Sequence, residues 1–110
     1  MPNPEGPPVA DTDDISGRSA QRTFVVAAED LAVALGSGDV PVLATPRLIA
    51  WLEAATVDAV AGALPEGSTT VGTAIEVDHV AASPLGATIT VSATVRTQQG
   101  KLVVFECEAV

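Results

Sequence analysis

The sequence predicts an α+β fold, one long helix packed on an antiparallel sheet. Three observations lead there. A helical stretch from Val42 to Leu64 is apolar on most sides. One strand-like run precedes it and three alternating runs follow it. The last two runs are joined by Gln98-Gln99-Gly100-Lys101, a hairpin signal, because glycine supplies the positive φ of a tight turn. A chain of 110 residues supports one domain with one core.

Residues 1–19 read as a flexible tail, carrying Pro2, Pro4, Pro7 and Pro8 among acidic residues without apolar periodicity. Residues 20–110 read as the domain. Ala20 to Ala28 forms the first strand, with Phe24 and Val26 on one side and Thr23 and Val25 on the other. Glu29 to Leu35 is a short helical turn. The Gly36-Ser37-Gly38-Asp39 loop lacks the Lys-Ser/Thr pair of a phosphate loop. In the main helix Thr45 suits the N-cap and Pro46 the first helical position, while Pro65 and Gly67 stop it. Leu48, Ile49, Leu52, Thr56, Ala59 and Val60 form its apolar stripe. A helix of this kind should be buried, so the carboxylate of Glu53 in its middle calls for a reason.

Thr69 to Ala82 reads as a strand with Ile75, Val77, His79 and Ala81 on one face and Glu76 and Asp78 on the other. Ser83-Pro84-Leu85-Gly86 is a turn. Ala87 to Thr97 alternates most clearly, with Ile89, Val91, Ala93 and Val95 pointing one way. Leu102 to Val110 closes the meander, presenting Val103, Phe105, Cys107 and Ala109 on one face.

Composition narrows the function. A formal net charge of −9 argues against nucleic acid and anionic membrane surfaces, though a small phosphorylated ligand needs only one or two basic residues. No apolar run is long enough to span a membrane, and no basic-then-apolar leader opens the chain. The lone Cys107 forms no internal disulfide, reads as a small buried hydrophobe, and fits a reduced, cytoplasmic setting. With Trp51, Phe24 and Phe105 as the only aromatics, the core is thin, and self-association is an expected source of further burial. His79 is the only histidine, which excludes a His-rich metal site. No G-x-S-x-G elbow is present.

Several segments taken together carry a resemblance. Ala44-Thr45 opens the helix, Trp51-Leu52-Glu53-Ala54 lies within it, and Gly72-Thr73-Ala74-Ile75 runs on through His79 to Ala82 and the Ser83–Gly86 turn. This combination resembles the fluoroacetyl-CoA thioesterase-like group of hotdog-fold acyl-CoA thioesterases. The distinctive part is a helix-start Thr, a Glu eight positions on, and a strand His twenty-six positions later. The resemblance implies a hotdog fold, an antiparallel sheet wrapped around one long central helix. It implies hydrolysis of a small acyl-CoA thioester to free acid and CoA. Thr45, Glu53 and His79 would be catalytic and Gly72 substrate-binding, with no cofactor or metal, in a homodimer whose sites lie near the subunit interface. Family members carry a loop and one more strand beyond the point matching Val110. The final strand is therefore expected to be missing here, leaving unpaired sheet edges. The loop before Thr45 contains no aromatic residue, so fluoroacetyl selectivity does not carry over.

The residues suit this chemistry. A helix N-terminus offers free N–H groups to a developing oxyanion, although Pro46 removes one. Glu53 can act as base or nucleophile, and His79 can orient it or exchange protons. Eight helical residues separate the Cα atoms of Thr45 and Glu53 by about 12 Å. A complete site is thus expected to combine two subunits, or to be bridged by the substrate. Arg47, Arg96 and Lys101 are either contacts for CoA phosphates or ordinary surface charges. The alternative function is a non-catalytic hotdog acyl-CoA-binding module.

Overall fold

The structure, a computed structural model, describes residues 14–110. The tail expected over residues 1–19 lies outside the described residues up to position 13. Strand β1 (Ser19–Val25) is followed by a 3-10 turn (Ala28–Asp30), the short helix α1 (Ala32–Leu35) and the long helix α2 (Thr45–Ala59). Strands β2 (Thr88–Gln99) and β3 (Leu102–Ala109) complete the order. The sheet runs β1-β2-β3, both pairings antiparallel.

β2 is central, paired on both edges, and its alternation suits a strand covered on one face. Ile89, Val91, Ala93 and Val95 are all buried, as the pattern predicts. Against them α2 turns Leu48, Trp51, Ala55 and Ala59. Trp51 stacks flat on Phe24 of β1, ring centroids 4.5 Å apart and planes 1° from parallel. A second cluster joins Ile15, Val60 and Val95, so Ile15, within the stretch read as tail, packs on the domain. The β2–β3 hairpin turns at Gly100 and Lys101, with Gly100 at φ 60°.

Two arginines fasten α2 to the start of the sheet. Arg18 donates from Nε to the Ala59 carbonyl at 2.9 Å and from Nη2 to the Ala61 carbonyl at 3.0 Å, satisfying acceptors that a helix end leaves open. Arg22 forms a two-pronged pair with Asp58, at 2.6 and 3.1 Å. The hydrogen bond from Arg22 holds the Asp58 carboxyl below the usual carboxylate range.

Several expectations need correction. α2 is shorter than Val42–Leu64. Its N-cap is Ala44, whose carbonyl accepts the Leu48 N–H at 3.0 Å, so Thr45 and Pro46 are the first and second helical residues. No side-chain cap is made, and the Thr45 hydroxyl is used elsewhere. The helix ends well before Pro65, and Gly62 turns the chain at φ 77°. The buried stripe is rotated from the one expected: Trp51 and Ala55 replace Ile49 and Thr56, which are half-buried. Glu53 is exposed rather than buried, and so is Cys107.

The largest departure is Thr69–Ala82, which contains no strand. Alternation alone does not hold an extended segment; a neighbouring strand must take its N–H and C=O groups. β3 pairs only with β2, so its other edge is open among the described residues. Residues 70–81 face that edge across a cleft, without a ladder between them. Val71, Ile75, Val80, Leu102 and Val104 are consequently exposed.

Candidate active site

The chain between β1 and α2 folds back on itself before entering the helix. Leu31 bridges Leu43, and the Ala32 N–H donates to the Val42 carbonyl at 2.8 Å. Leu43 in turn donates to the Ser83 carbonyl at 2.8 Å, and Val42 bridges Pro84. These bonds bring the end of the 69–82 segment to the N-terminus of α2. There Thr45 Oγ1 lies 2.7 Å from His79 Nδ1, hydrogen-bonded in a direction set by the imidazole tautomer. The hydroxyl expected to cap the helix instead fixes a residue from a distant part of the chain.

Glu53 sits two turns further along, beside Gly72. A methyl group built on Gly72 would lie 2.5 Å from Glu53 Oε2. The glycine is therefore needed for space, since its φ is not in the left-handed region. Gly72→Ala is expected to leave stability nearly unchanged, because the residue is exposed and the obstructing atom ends a flexible side chain. It should, however, displace the Glu53 carboxylate. A crystal structure of the variant checks this; Glu53 found in its original position would contradict it.

Glu53, Gly72 and His79 line a cleft of about 1040 Å³, walled by Ile49 of α2 and by Phe105 and Cys107 of β3. A second hollow, about 350 Å³, is bounded by Asp39, Leu43, Thr45, His79 and Val80. His79 borders both. The structure thus joins Thr45 to His79 and Glu53 to Gly72, and His79 connects the two spaces. It does not join Glu53 to His79: the Glu53 carboxylate has no hydrogen-bond or ion-pair partner among the described residues. Cys107 is a poor nucleophile here. Burial, reinforced by the neighbouring Glu106 charge, pushes its thiol pKa up although part of its surface opens to the cleft.

Of the three cations considered for CoA phosphates, two are engaged. Arg96 pairs with Glu106 across the hairpin, and Arg47 with Asp30. Lys101 sits exposed at the hairpin turn. The Asp30–Arg47 pair is not evident from the sequence. Half of it has a local signature: an acidic residue three positions after the turn's cap residue Ala27, Asp30 Oδ2 accepting the Ala27 N–H at 2.8 Å. The other half is tertiary and leaves no sequence pattern.

A long helix laid on an antiparallel meander, with a helix-start hydroxyl bound to an imidazole from the segment that follows, is the layout expected of a hotdog fold. Comparison with known proteins narrows this. The fluoroacetyl-CoA-specific thioesterase family matches residues 26–110. The chain belongs to that family. It is 43% identical over 60 residues to the fluoroacetyl-CoA thioesterase of Streptantibioticus cattleyicolor, a match spanning 54% of this chain and 43% of that protein's length. Among solved structures, the fluoroacetyl-CoA thioesterase FlK superposes with a TM-score of 0.80 at 33% identity, over 86% of this chain and 75% of that one. A variant of that enzyme solved with fluoroacetate and CoA gives 0.79 at 33% identity, over 86% and 81%. A thioesterase superfamily member from Thermus thermophilus gives 0.77 at 28% identity, over 86% and 69%.

Proposed function

We propose that this protein hydrolyses a small acyl-CoA thioester to free acid and CoA. Glu53 serves as base or nucleophile, His79 assists, and the α2 N-terminus at Thr45 polarises the carbonyl. The observation that carries this reading is the Thr45–His79 hydrogen bond, with His79 lining the same cleft as Glu53. Family membership supports the reaction class, and one relative of known structure holds fluoroacetate and CoA.

As base, Glu53 takes a proton from water as the water oxygen attacks the thioester carbon. The charge gathering on the carbonyl oxygen meets the first turn of α2, where Thr45 and Arg47 keep N–H groups outside the intrahelical ladder. Collapse of the tetrahedral species breaks the C–S bond, and the proton returns to the departing sulfur through Glu53 or His79. As nucleophile, Glu53 attacks the thioester carbon, the C–S bond breaks and CoA leaves as the thiol after protonation by His79 or water, and water then cleaves the mixed anhydride to the free acid and the Glu53 carboxylate. The absence of aromatic residues from the Gly36–Pro41 loop supports a site without fluoroacetyl selectivity. The exposed Val71, Ile75 and Val80 support a homodimer in which this surface is covered. The free thiol of Cys107 fits a reducing, cytoplasmic setting.

A panel of acyl-CoA thioesters, with thiol release followed for wild type and His79→Ala, tests the proposal. Release by the wild type, strongly reduced in the variant, is the expected result. Protection against heating by acyl-CoA without any release would favour the non-catalytic binding module. Full activity in a monomer would rule out a site shared between subunits.

A further inference from the structure

We propose that Asp30 and Arg47 are positioning residues that hold the first turn of α2 so that the Thr45 hydroxyl meets His79. Asp30 is the one charged residue that is buried among the described residues, at 8% exposure. Its contacts converge on the base of the excursion between β1 and α2. Oδ2 accepts the Ala27 N–H at 2.8 Å, on the entering side. Its backbone carbonyl accepts the N–H of Ala44, the α2 cap residue, at 2.9 Å, on the leaving side. Oδ1 lies 3.0 Å from Nε of Arg47, inside the first turn of the helix. Arg47 Nη2 also donates to the carbonyl of Glu29 at 3.4 Å.

One residue therefore ties together the start of the excursion, the cap and the first helical turn: its carboxylate holds Ala27 and Arg47, and its backbone carbonyl holds Ala44. Arg47 Nε is buried, and its N–H is not aligned on any hydrogen-bond acceptor. The Asp30 charge is what compensates it. Without that charge the buried Nε–H loses its compensation, and the partly exposed guanidinium is expected to turn further toward water. Arg47 stands two residues after Thr45 on the same turn, so its movement shifts Thr45 against His79. Neither Asp30 nor Arg47 is among the residues lining the Glu53 cleft or the smaller hollow beside Thr45. Their effect on turnover is exerted through Thr45.

The kinetic half of this inference rests on the thioesterase reading; the structural half does not. His79 is the only histidine in the chain, so the ring nitrogens give one unambiguous set of ¹⁵N NMR signals. Thr45→Ala defines the signals of the ring without its hydroxyl partner. Asp30→Asn keeps an acceptor for Ala27 and loses the charge; Arg47→Gln removes the cation; Arg47→Lys retains it. Asp30→Asn and Arg47→Gln are expected to move the ring signals toward those of Thr45→Ala. They should also lower kcat by about ten- to a hundred-fold with KM within about two-fold, the scale of a misplaced reacting group. Arg47→Lys should recover most of both. Ring signals and kcat like those of wild type in the folded variants would overturn the proposal, even with a lowered melting temperature. If wild type releases no thiol, the thioesterase reading fails and the ring signals still decide the positioning role. If Asp30→Asn does not fold, Arg47→Gln carries the test, its side chain being 35% exposed.

Discussion

Glu53→Gln is expected to lower kcat for acyl-CoA hydrolysis by about 10²- to 10⁴-fold, the range that a general acid–base group contributes. The amide keeps the shape of the carboxylate but cannot take a proton from water or attack a carbonyl. Glu53 is exposed and lacks a hydrogen-bond or ion-pair partner among the described residues, so the substitution removes no such folding contact. Its stability should stay within about 0.5 kcal/mol, as for ordinary surface changes. Thiol release measured beside the denaturation midpoint separates the two effects. A variant that turns over at the wild-type rate would remove Glu53 from the reaction and shift attention to the Thr45–His79 pair. With KM unchanged, the loss would place the role of Glu53 in the transition state rather than in binding.

Trp51→Ala should be the most damaging core substitution. Trp51 is buried, and its ring lies flat on Phe24, so it joins α2 to β1 through the largest apolar surface in the chain. Truncating a buried aromatic to Ala costs about 3–5 kcal/mol through lost burial and the cavity left behind. Domains of this kind are stable by about 5–15 kcal/mol, so the variant is expected to be marginal at ambient temperature. Urea unfolding followed by circular dichroism measures the loss. Trp51→Phe should recover much of it by keeping an aromatic ring at the interface. A loss below about 1 kcal/mol on Trp51→Ala would mean that the site collapses freely and that the stack is not what holds the helix.

The features legible in the sequence are those decided locally. The alternation of β2 placed Ile89, Val91, Ala93 and Val95 inward, and they are buried. The hairpin turn fell on Gly100 and Lys101, within the stretch expected. The main helix was evident, but its ends were not, because distant residues decide them. Thr45 has the chemistry of a cap, yet His79 engages its hydroxyl, and Ala44 takes the cap position. At the other end Arg18, from before β1, accounts for the carbonyls of Ala59 and Ala61. Thr69–Ala82 failed as a strand for the complementary reason: its pattern was right, but no neighbouring strand takes its backbone groups. The same division holds in the candidate site. Resemblance singled out Thr45, Glu53, Gly72 and His79, and the structure pairs them as Thr45 with His79 and Gly72 with Glu53. Arg47 reads from sequence as a surface charge or a phosphate contact; only the fold brings Asp30 against it.

The strand order also governs how the molecule assembles. β2 and β3 are neighbours in sequence joined by a two-residue turn, so this hairpin can zip up within about 1–10 μs. β1 joins the same strand from the far end of the chain, Ser19 opposite Thr94, with the whole of α2 between them. Closing so long a loop is the entropically slow step, and few contacts reward it until α2 has docked. Folding should therefore proceed from the C-terminal hairpin toward the N-terminus, against the direction of synthesis. On the ribosome, β1 and α2 emerge first and must wait for their partner strand, with Phe24 and Trp51 uncovered in the interval.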